Sequence, residues 1–354
     1  MTDLWTPISL GGITLKNRLA MAPMTRSRAG VDGTPSPLAA RYYAQRAGLG
    51  LLISEGTQPS AEGQGYIFTP GLITAAQVAG WRAITAAVKA EGAAFFIQLM
   101  HVGRMSHPAN VGGAQALAPS AIAPAEQMFT ATGMQPIPVP REMTEADIAR
   151  TIADFRASAA RAIEAGADGV EIHGANGYLI QQFLAPNANL RRDGWGGSLE
   201  NRARFALEVT RAVAAEIGAE RTALRLSPGA TLGGLDEGAE GPALYRHLVA
   251  ELDRLGLAYL HLMHLGNEAL LAEIRALWRG ALVLNRPGRP REAIGQDVAS
   301  GLAEIESYGQ FVLANPDFVE RLQTGAPMTP PDRSTYFGGD ARGYTDYPRL
   351  VPQG

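Results

Sequence analysis

A (β/α)8 barrel is the fold this chain predicts, and three observations carry it. Eight short apolar runs recur along the sequence, amphipathic segments of helical period separate most of them, and polar side chains with chemical reach cluster directly after one run. A barrel keeps its chemistry at that end of its strands. The length of 354 residues is long for a small domain and ordinary for one barrel with insertions, so residues 1–354 read as a single domain. Strand counting by itself leaves an open doubly wound sheet as the alternative.

The runs that read as strands are Arg18–Ala22, Leu49–Ser54, Ala94–Leu99, Gly169–His173, Thr222–Ser227, Ala258–Met263, Ala281–Asn285 and Phe311–Leu313. Helical period marks Ala75–Glu91, Thr144–Ala165, Leu199–Ile217, Pro242–Leu255 and Glu268–Trp278. Thr144 followed by acidic residues has the form of a helix cap, and Gly166 of a stop. The rhythm breaks from His101 to Arg141, a stretch rich in Pro, Gly, Ala and Ser. A segment this long after the third strand is expected to be a cap over the site.

Composition excludes several classes. A net charge of −3 gives no electrostatic case for nucleic acid or an anionic membrane surface. No run approaches a membrane span, and Met1-Thr2-Asp3-Leu4-Trp5 has no signal-peptide pattern. With no cysteine there is no disulfide, thiolate metal site or cysteine nucleophile. A cytoplasmic enzyme, monomer or homodimer, working on a small molecule is the expectation. His101, His107, His247, His261 and His264 invite a metal reading; but the strand period points His261 and His264 to opposite faces, so no metal site is expected.

The chemistry-bearing cluster is Glu171-Ile172-His173-Gly174-Ala175-Asn176-Gly177-Tyr178-Leu179. An imidazole and a carboxamide three positions apart offer two donors for one anionic oxygen, and a phenol follows two residues on. Two fixed donors beside a weak acid suit a reaction that builds an enolate and then protonates it. The plainer readings are a loop-stabilising pair for His173 and Asn176 and an aromatic packing under the cap for Tyr178.

Several further pieces occur in order: Leu15-Lys16-Asn17-Arg18, Met21-Ala22-Pro23-Met24-Thr25-Arg26, Ile53-Ser54-Glu55-Gly56-Thr57, Gln98-Leu99-Met100-His101-Val102-Gly103-Arg104, Asn189-Leu190-Arg191-Arg192-Asp193-Gly194-Trp195-Gly196-Gly197-Ser198-Leu199-Glu200-Asn201-Arg202 and Gly343-Tyr344-Thr345-Asp346-Tyr347-Pro348. Together with the His173/Asn176/Tyr178 segment they resemble the classical old yellow enzymes, N-ethylmaleimide reductase-like ene-reductases that carry flavin on a β/α barrel. The resemblance implies FMN, reduced by NADPH or NADH, giving a hydride to the β-carbon of an enone, maleimide or nitroalkene. It implies that His173 and Asn176 hold the activating oxygen and that Tyr178 protonates the α-carbon. Thr25, Gln98 and Arg225 would contact the flavin's pyrimidine edge, with Pro23, Met24 and Gly56 supplying backbone contacts. Tyr66, Met100 and Tyr344 would form walls of the substrate pocket.

The phosphate end departs from the family pattern. A glycine-rich turn after the seventh strand and a Gly-Arg pair at the eighth are expected there, supplying N–H donors and one bidentate cation. Here the seventh strand runs into Asn285-Arg286-Pro287-Gly288-Arg289-Pro290-Arg291, Pro287 has no N–H, and the pair reads Gly309-Gln310. Three explanations stay open: Arg286 replaces the lost arginine; or Arg286, Arg289 and Arg291 face the longer anionic tail of a deazaflavin coenzyme, arriving as a dissociable cosubstrate; or FMN is held weakly. The plainer reading is a solvated loop. A non-redox lyase or isomerase barrel is a further alternative, although no lysine at a strand end and no carboxylate cluster supports one.

Overall fold

The computed structural model describes residues 3–350. Eight parallel strands close into a barrel in sequence order: Leu19–Met21, Leu51–Ile53, Ala94–Leu99, Gly169–His173, Thr222–Leu226, Tyr259–Met263, Leu282–Asn285 and Ile305–Tyr308. Every strand residue except Ala94 is buried, as expected when barrel and helices enclose both faces. The eighth strand corrects the sequence expectation. Glu306 and Ser307 interrupt its apolar character, and Phe311–Leu313, read above as the strand, lies in the short helix Gln310–Ala314 that follows.

The helices form where their caps allow. Thr144 accepts from the Asp147 N–H while the Asp147 side chain accepts from the Thr144 N–H, a reciprocal box opening Glu145–Glu164, and Gly166 leaves that helix at φ 89°. Thr74 and Gln77 form the same box for Ala75–Ala90, and Ser198 caps Leu199–Ile217. Among the described residues no helix is long and apolar enough to cross a membrane.

The N-terminal end of the barrel is plugged by a hairpin, Ile8–Leu10 with Ile13–Leu15, whose Leu10 and Leu15 pack with Ala20, Phe96, Tyr259 and Val283. The opposite end carries the insertion between the third and fourth strands. It is ordered around a second hairpin, Gln127–Thr130 with Gly133–Pro136, while Leu117–Ala118 pairs with Arg141–Glu142 at its base.

Candidate active site

Strand register sets the site. The fourth strand places Glu171 beside Gln98 of the third strand and His173 beside Arg225 of the fifth; the sixth places His261 beside Arg225. Their side chains form one buried chain: Gln98 Nε2 donates to Glu171 Oε1 at 2.8 Å, Glu171 Oε2 lies 2.8 Å from His261 Nδ1, and His261 Nε2 lies 2.9 Å from Ser307 Oγ. Burial pushes the His261 pKa down, so its neutral ring donates to Glu171 and accepts from Ser307. Burial favours the neutral acid at Glu171, but His261, Arg225 and the Gln98 amide outweigh it and hold the carboxyl below its ordinary value. Among the described residues no cluster of His, Cys, Asp and Glu is arranged to hold a metal.

Above this layer the chain turns sharply. Asn176 sits at φ 59°, a left-handed conformation that asparagine tolerates better than most residues. Two buried acceptors hold it there: Asn176 N donates to Ser227 Oγ at 2.9 Å and Gly177 N donates to Gln181 Oε1 at 2.8 Å. Gln181 Nε2 in turn donates to Glu237. The held turn leaves His173 Nδ1 and Asn176 Oδ1 buried with no protein partner. Unpartnered buried polar atoms occur elsewhere in this barrel, but these two stand three positions apart on the loop where Asn176 lines the cavity, and that placement points to a ligand.

Burial, with Arg225 and His261 adding to it, drives the His173 pKa well below its ordinary value, so the ring is a neutral donor. The Tyr178 hydroxyl lies 3.0 Å from that of Tyr66, and its ring meets the His173 ring edge-on at 5.1 Å. Burial raises the Tyr178 pKa well above 10, Tyr66 raises it further, and the phenol keeps its proton.

Asn176, Tyr178 and Tyr66 open on a cavity of about 1230 Å³ that runs past Arg225, Met24 and Thr25 to Arg286, Arg289, Gly309 and Gln310. Pro23 and Asn285 also line it. Arg225 donates from Nη2 to Asn285 Oδ1 at 3.3 Å while its buried Nε has no partner. His173, beside Arg225, is buried at the cavity's edge, and Gln98, Met100 and Gly56 are buried outside its lining; a Cβ on Gly56 would fall 2.5 Å from the Met100 sulfur. Met100 packs with Val102, Met105, Met128 and Ile137 behind Tyr66 and Tyr178.

Tyr344 is a correction. It is fully buried outside the cavity, stacked on Tyr42 at 4.1 Å with the Arg26 and Arg28 guanidiniums over its ring. The cavity wall is built instead from aromatic and apolar residues the sequence reading missed: Phe68, Met128, Phe129, Met134 and Phe337. The Met128–Phe129 and Met134 contributions come from the cap hairpin, so the insertion does cover the site.

One continuous cavity lined by Thr25, Asn176, Tyr178 and the guanidiniums of Arg225, Arg286 and Arg289 fits a flavin mononucleotide and a small substrate. The chain matches the NADH:flavin oxidoreductase / NADH oxidase family over residues 3–329. It is 41% identical to 12-oxophytodienoate reductase 1 of Oryza sativa subsp. japonica, over 98% of this chain and 93% of that protein. It is 39% identical to a probable flavin mononucleotide-dependent alkene reductase of Leishmania infantum, over 97% of this chain and 96% of that protein. The solved structure of morphinone reductase in complex with tetrahydroNAD superposes with a TM-score of 0.95 at 41% identity, covering 99% of each chain. This chain belongs to the NADH:flavin oxidoreductase / NADH oxidase family, the family of the old yellow enzymes.

Proposed function

We propose that this protein is an ene-reductase acting on the C=C bond of activated alkenes: enones, maleimides and nitroalkenes. The observation that carries the reading is the pair of unpartnered buried atoms, His173 Nδ1 and Asn176 Oδ1, beside a phenol that burial keeps protonated. FMN, reduced by NADPH or NADH, would supply the hydride when bound. The alkene-reductase relatives and the tetrahydroNAD complex of morphinone reductase support that choice of cofactor and reductant.

Thr25, Arg225 and Gln98 would hold the ring, with Pro23, Met24 and Gly56 behind them, and Asn285, Arg286, Gly309 and Gln310 lie toward the phosphate. His173, neutral, donates from Nδ1–H. The Asn176 amide, turned so that Nδ2 takes the place of Oδ1, donates beside it. Together they stabilise the oxygen on which negative charge develops. Tyr178 delivers its proton to the α-carbon, and the Tyr66 hydroxyl at 3.0 Å can reprotonate it. Tyr66, Phe68, Phe129 and Phe337 present apolar surface to the body of the substrate.

The deazaflavin alternative draws no support. Arg286 is paired with Glu268 and Asp297, Arg289 with Asp297, and Arg291 donates to the Arg321 carbonyl outside the cavity lining. The family match likewise leaves the lyase or isomerase reading unsupported. We take the chain as one barrel domain, residues 1–354, acting in the cytoplasm as a monomer or homodimer without nucleic acid; its net charge of −3 supports the last point.

The test is consumption of 2-cyclohexenone or N-ethylmaleimide by purified protein supplied with FMN and NADPH or NADH under anaerobic conditions. The expected result is the saturated product, with kcat/KM falling about 10²–10³-fold in His173→Ala and Asn176→Ala, the cost of losing one such donor. Protein that binds FMN yet leaves both alkenes intact refutes the reading.

A further inference from the structure

Two guanidiniums, Arg286 and Arg289, reach the end of the cavity where the family's Gly-Arg pair has become Gly309-Gln310, and their surroundings set them apart. Arg286 is committed on two sides. Its Nε donates to Asp297 Oδ2 at 3.0 Å, and Nη1 and Nη2 donate to the two Glu268 oxygens at 2.6 and 3.1 Å. That fork-on-fork pair holds it to the outer rim.

Arg289 is placed differently. Its side chain is only 9% exposed, and its Nη1 donates to Asp297 while Glu306 stands 3.7 Å from the same nitrogen. Among the described residues its Nε and Nη2 have no acceptor, and they belong to a residue that lines the cavity. Glu306 cannot turn to meet them. Its carboxylate is pinned by the N–H groups of Gly295, Asp297 and Val298 at 2.8, 2.9 and 3.2 Å and by the Tyr308 hydroxyl.

We propose that Arg289, not Arg286, is the phosphate-binding guanidinium of this protein, with the Gln310 amide as its neutral partner. Asp297 orients Arg289 and takes up part of its charge. The free Nε and Nη2 of Arg289 and the Gln310 amide supply the donors for a phosphate monoester, while three carboxylates, Glu268, Asp297 and Glu306, against two cations make the seat attract it less than an unshared arginine would. This inference rests on the flavin reading above.

The experiment titrates flavin-free protein with FMN and with riboflavin, which lacks the phosphate, following quenching of flavin fluorescence. Wild-type protein is expected to bind FMN more tightly than riboflavin. Arg289→Ala should raise the Kd for FMN roughly tenfold or more, the worth of a charge-assisted pair, and leave that for riboflavin unchanged. Unchanged riboflavin binding also shows that the variant has folded. Asp297→Asn, which keeps an acceptor for both arginines and removes a charge, should lower the Kd for FMN by about fivefold or more with riboflavin unaffected.

An Arg289→Ala protein with an unaltered FMN-to-riboflavin ratio overturns the proposal. If that variant does not fold, Asp297→Asn with unaltered FMN affinity overturns it instead. Equal wild-type affinity for the two flavins overturns the phosphate seat and leaves the ene-reductase reading standing. Binding of neither flavin removes both.

Discussion

Glu55 makes a stability prediction that can be worked through from its surroundings. It follows the second barrel strand, and its Oε2 accepts the backbone N–H groups of Arg26 at 2.9 Å and Ser27 at 3.3 Å. Ser27 is held at φ 51°, so this carboxyl clamps a strained turn directly after Thr25, on the cofactor side of the cavity. Only 5% of Glu55 is exposed, and burial, opposed by the Arg26 and Ser27 N–H groups and the Arg26 and Arg28 charges, pushes its pKa from 4.5 up to about 7. Because the folded value lies above the unfolded one, the contribution to stability is fully present below about pH 4.5 and is lost as pH rises through about 7. At about 1.4 kcal/mol for each pH unit this amounts to about 3 kcal/mol. Unfolding entropy near 2.1 cal/mol/K per residue gives a chain of this size about 0.7 kcal/mol/K, so the loss equals about 4 °C in Tm. Glu55→Gln keeps one oxygen for both N–H groups and cannot ionise. Melting wild type and variant from pH 4.5 to 8, with and without saturating FMN, should show the wild-type Tm falling by about 4 °C relative to the variant. A difference that is flat, or that grows in favour of wild type, refutes the argument.

Replacing Tyr178 with Phe removes the proton donor and should lower alkene reduction about 10²-fold while NADPH or NADH still reduces bound flavin at the wild-type rate in stopped flow. His173 is held neutral by burial and Tyr178 is held protonated by burial and Tyr66, so neither should contribute a limb to kcat/KM between about pH 6.5 and 9. An inflection there that disappears in the corresponding variant contradicts those directions. Gly11 turns the N-terminal hairpin at φ 55° with the Glu220 carbonyl oxygen 1.8 Å from where a Cβ would stand. Gly11→Ala should therefore cost about 2 kcal/mol or more, read as a fall of about 3 °C or more in Tm.

Most of the barrel was legible because a strand buried on both faces is mainly apolar, and seven of the eight strands read that way even where single polar residues such as Gln98, Glu171, Arg225 and His261 interrupt them. The eighth does not. Glu306 faces the helix Gln296–Ala299, where N–H groups take its charge, a compensation that period and hydropathy do not register. The N-terminal hairpin was invisible for another reason: unlike the equally short but wholly apolar first two barrel strands, each of its three-residue strands carries an exposed Ser9 or Thr14 at its centre and makes no apolar run. His173, Asn176 and Tyr178 could be picked out because they lie next to one another on a strand-to-helix loop. The pocket wall could not, since it is assembled from segments far apart in the chain. The tail contains Tyr336, Phe337, Tyr344 and Tyr347 with no period to sort them. Arg26 decides the matter by donating to the carbonyls of Tyr336 and Gly343, which turns Phe337 to the cavity and seals Tyr344 against Tyr42.

The buried polar chain beneath the cavity explains why the barrel gives up apolar packing at its centre. A guanidinium facing a cavity from inside a barrel needs a counter-charge, because an isolated buried cation costs several kcal/mol. Glu171 supplies that charge from the neighbouring strand, and it too must be satisfied. Gln98 and His261 do so, and Ser307 fixes the His261 tautomer from the eighth strand. Each member sits on a different strand, so the network also ties together the third, fourth, sixth and eighth strands around Arg225 on the fifth. Apolar replacements of equal volume would pack as well or better, as buried ion pairs seldom win on stability alone. What they could not provide is a fixed positive charge with a free Nε on the cavity wall, beside a His173 ring that burial keeps neutral and the same cation helps to keep so.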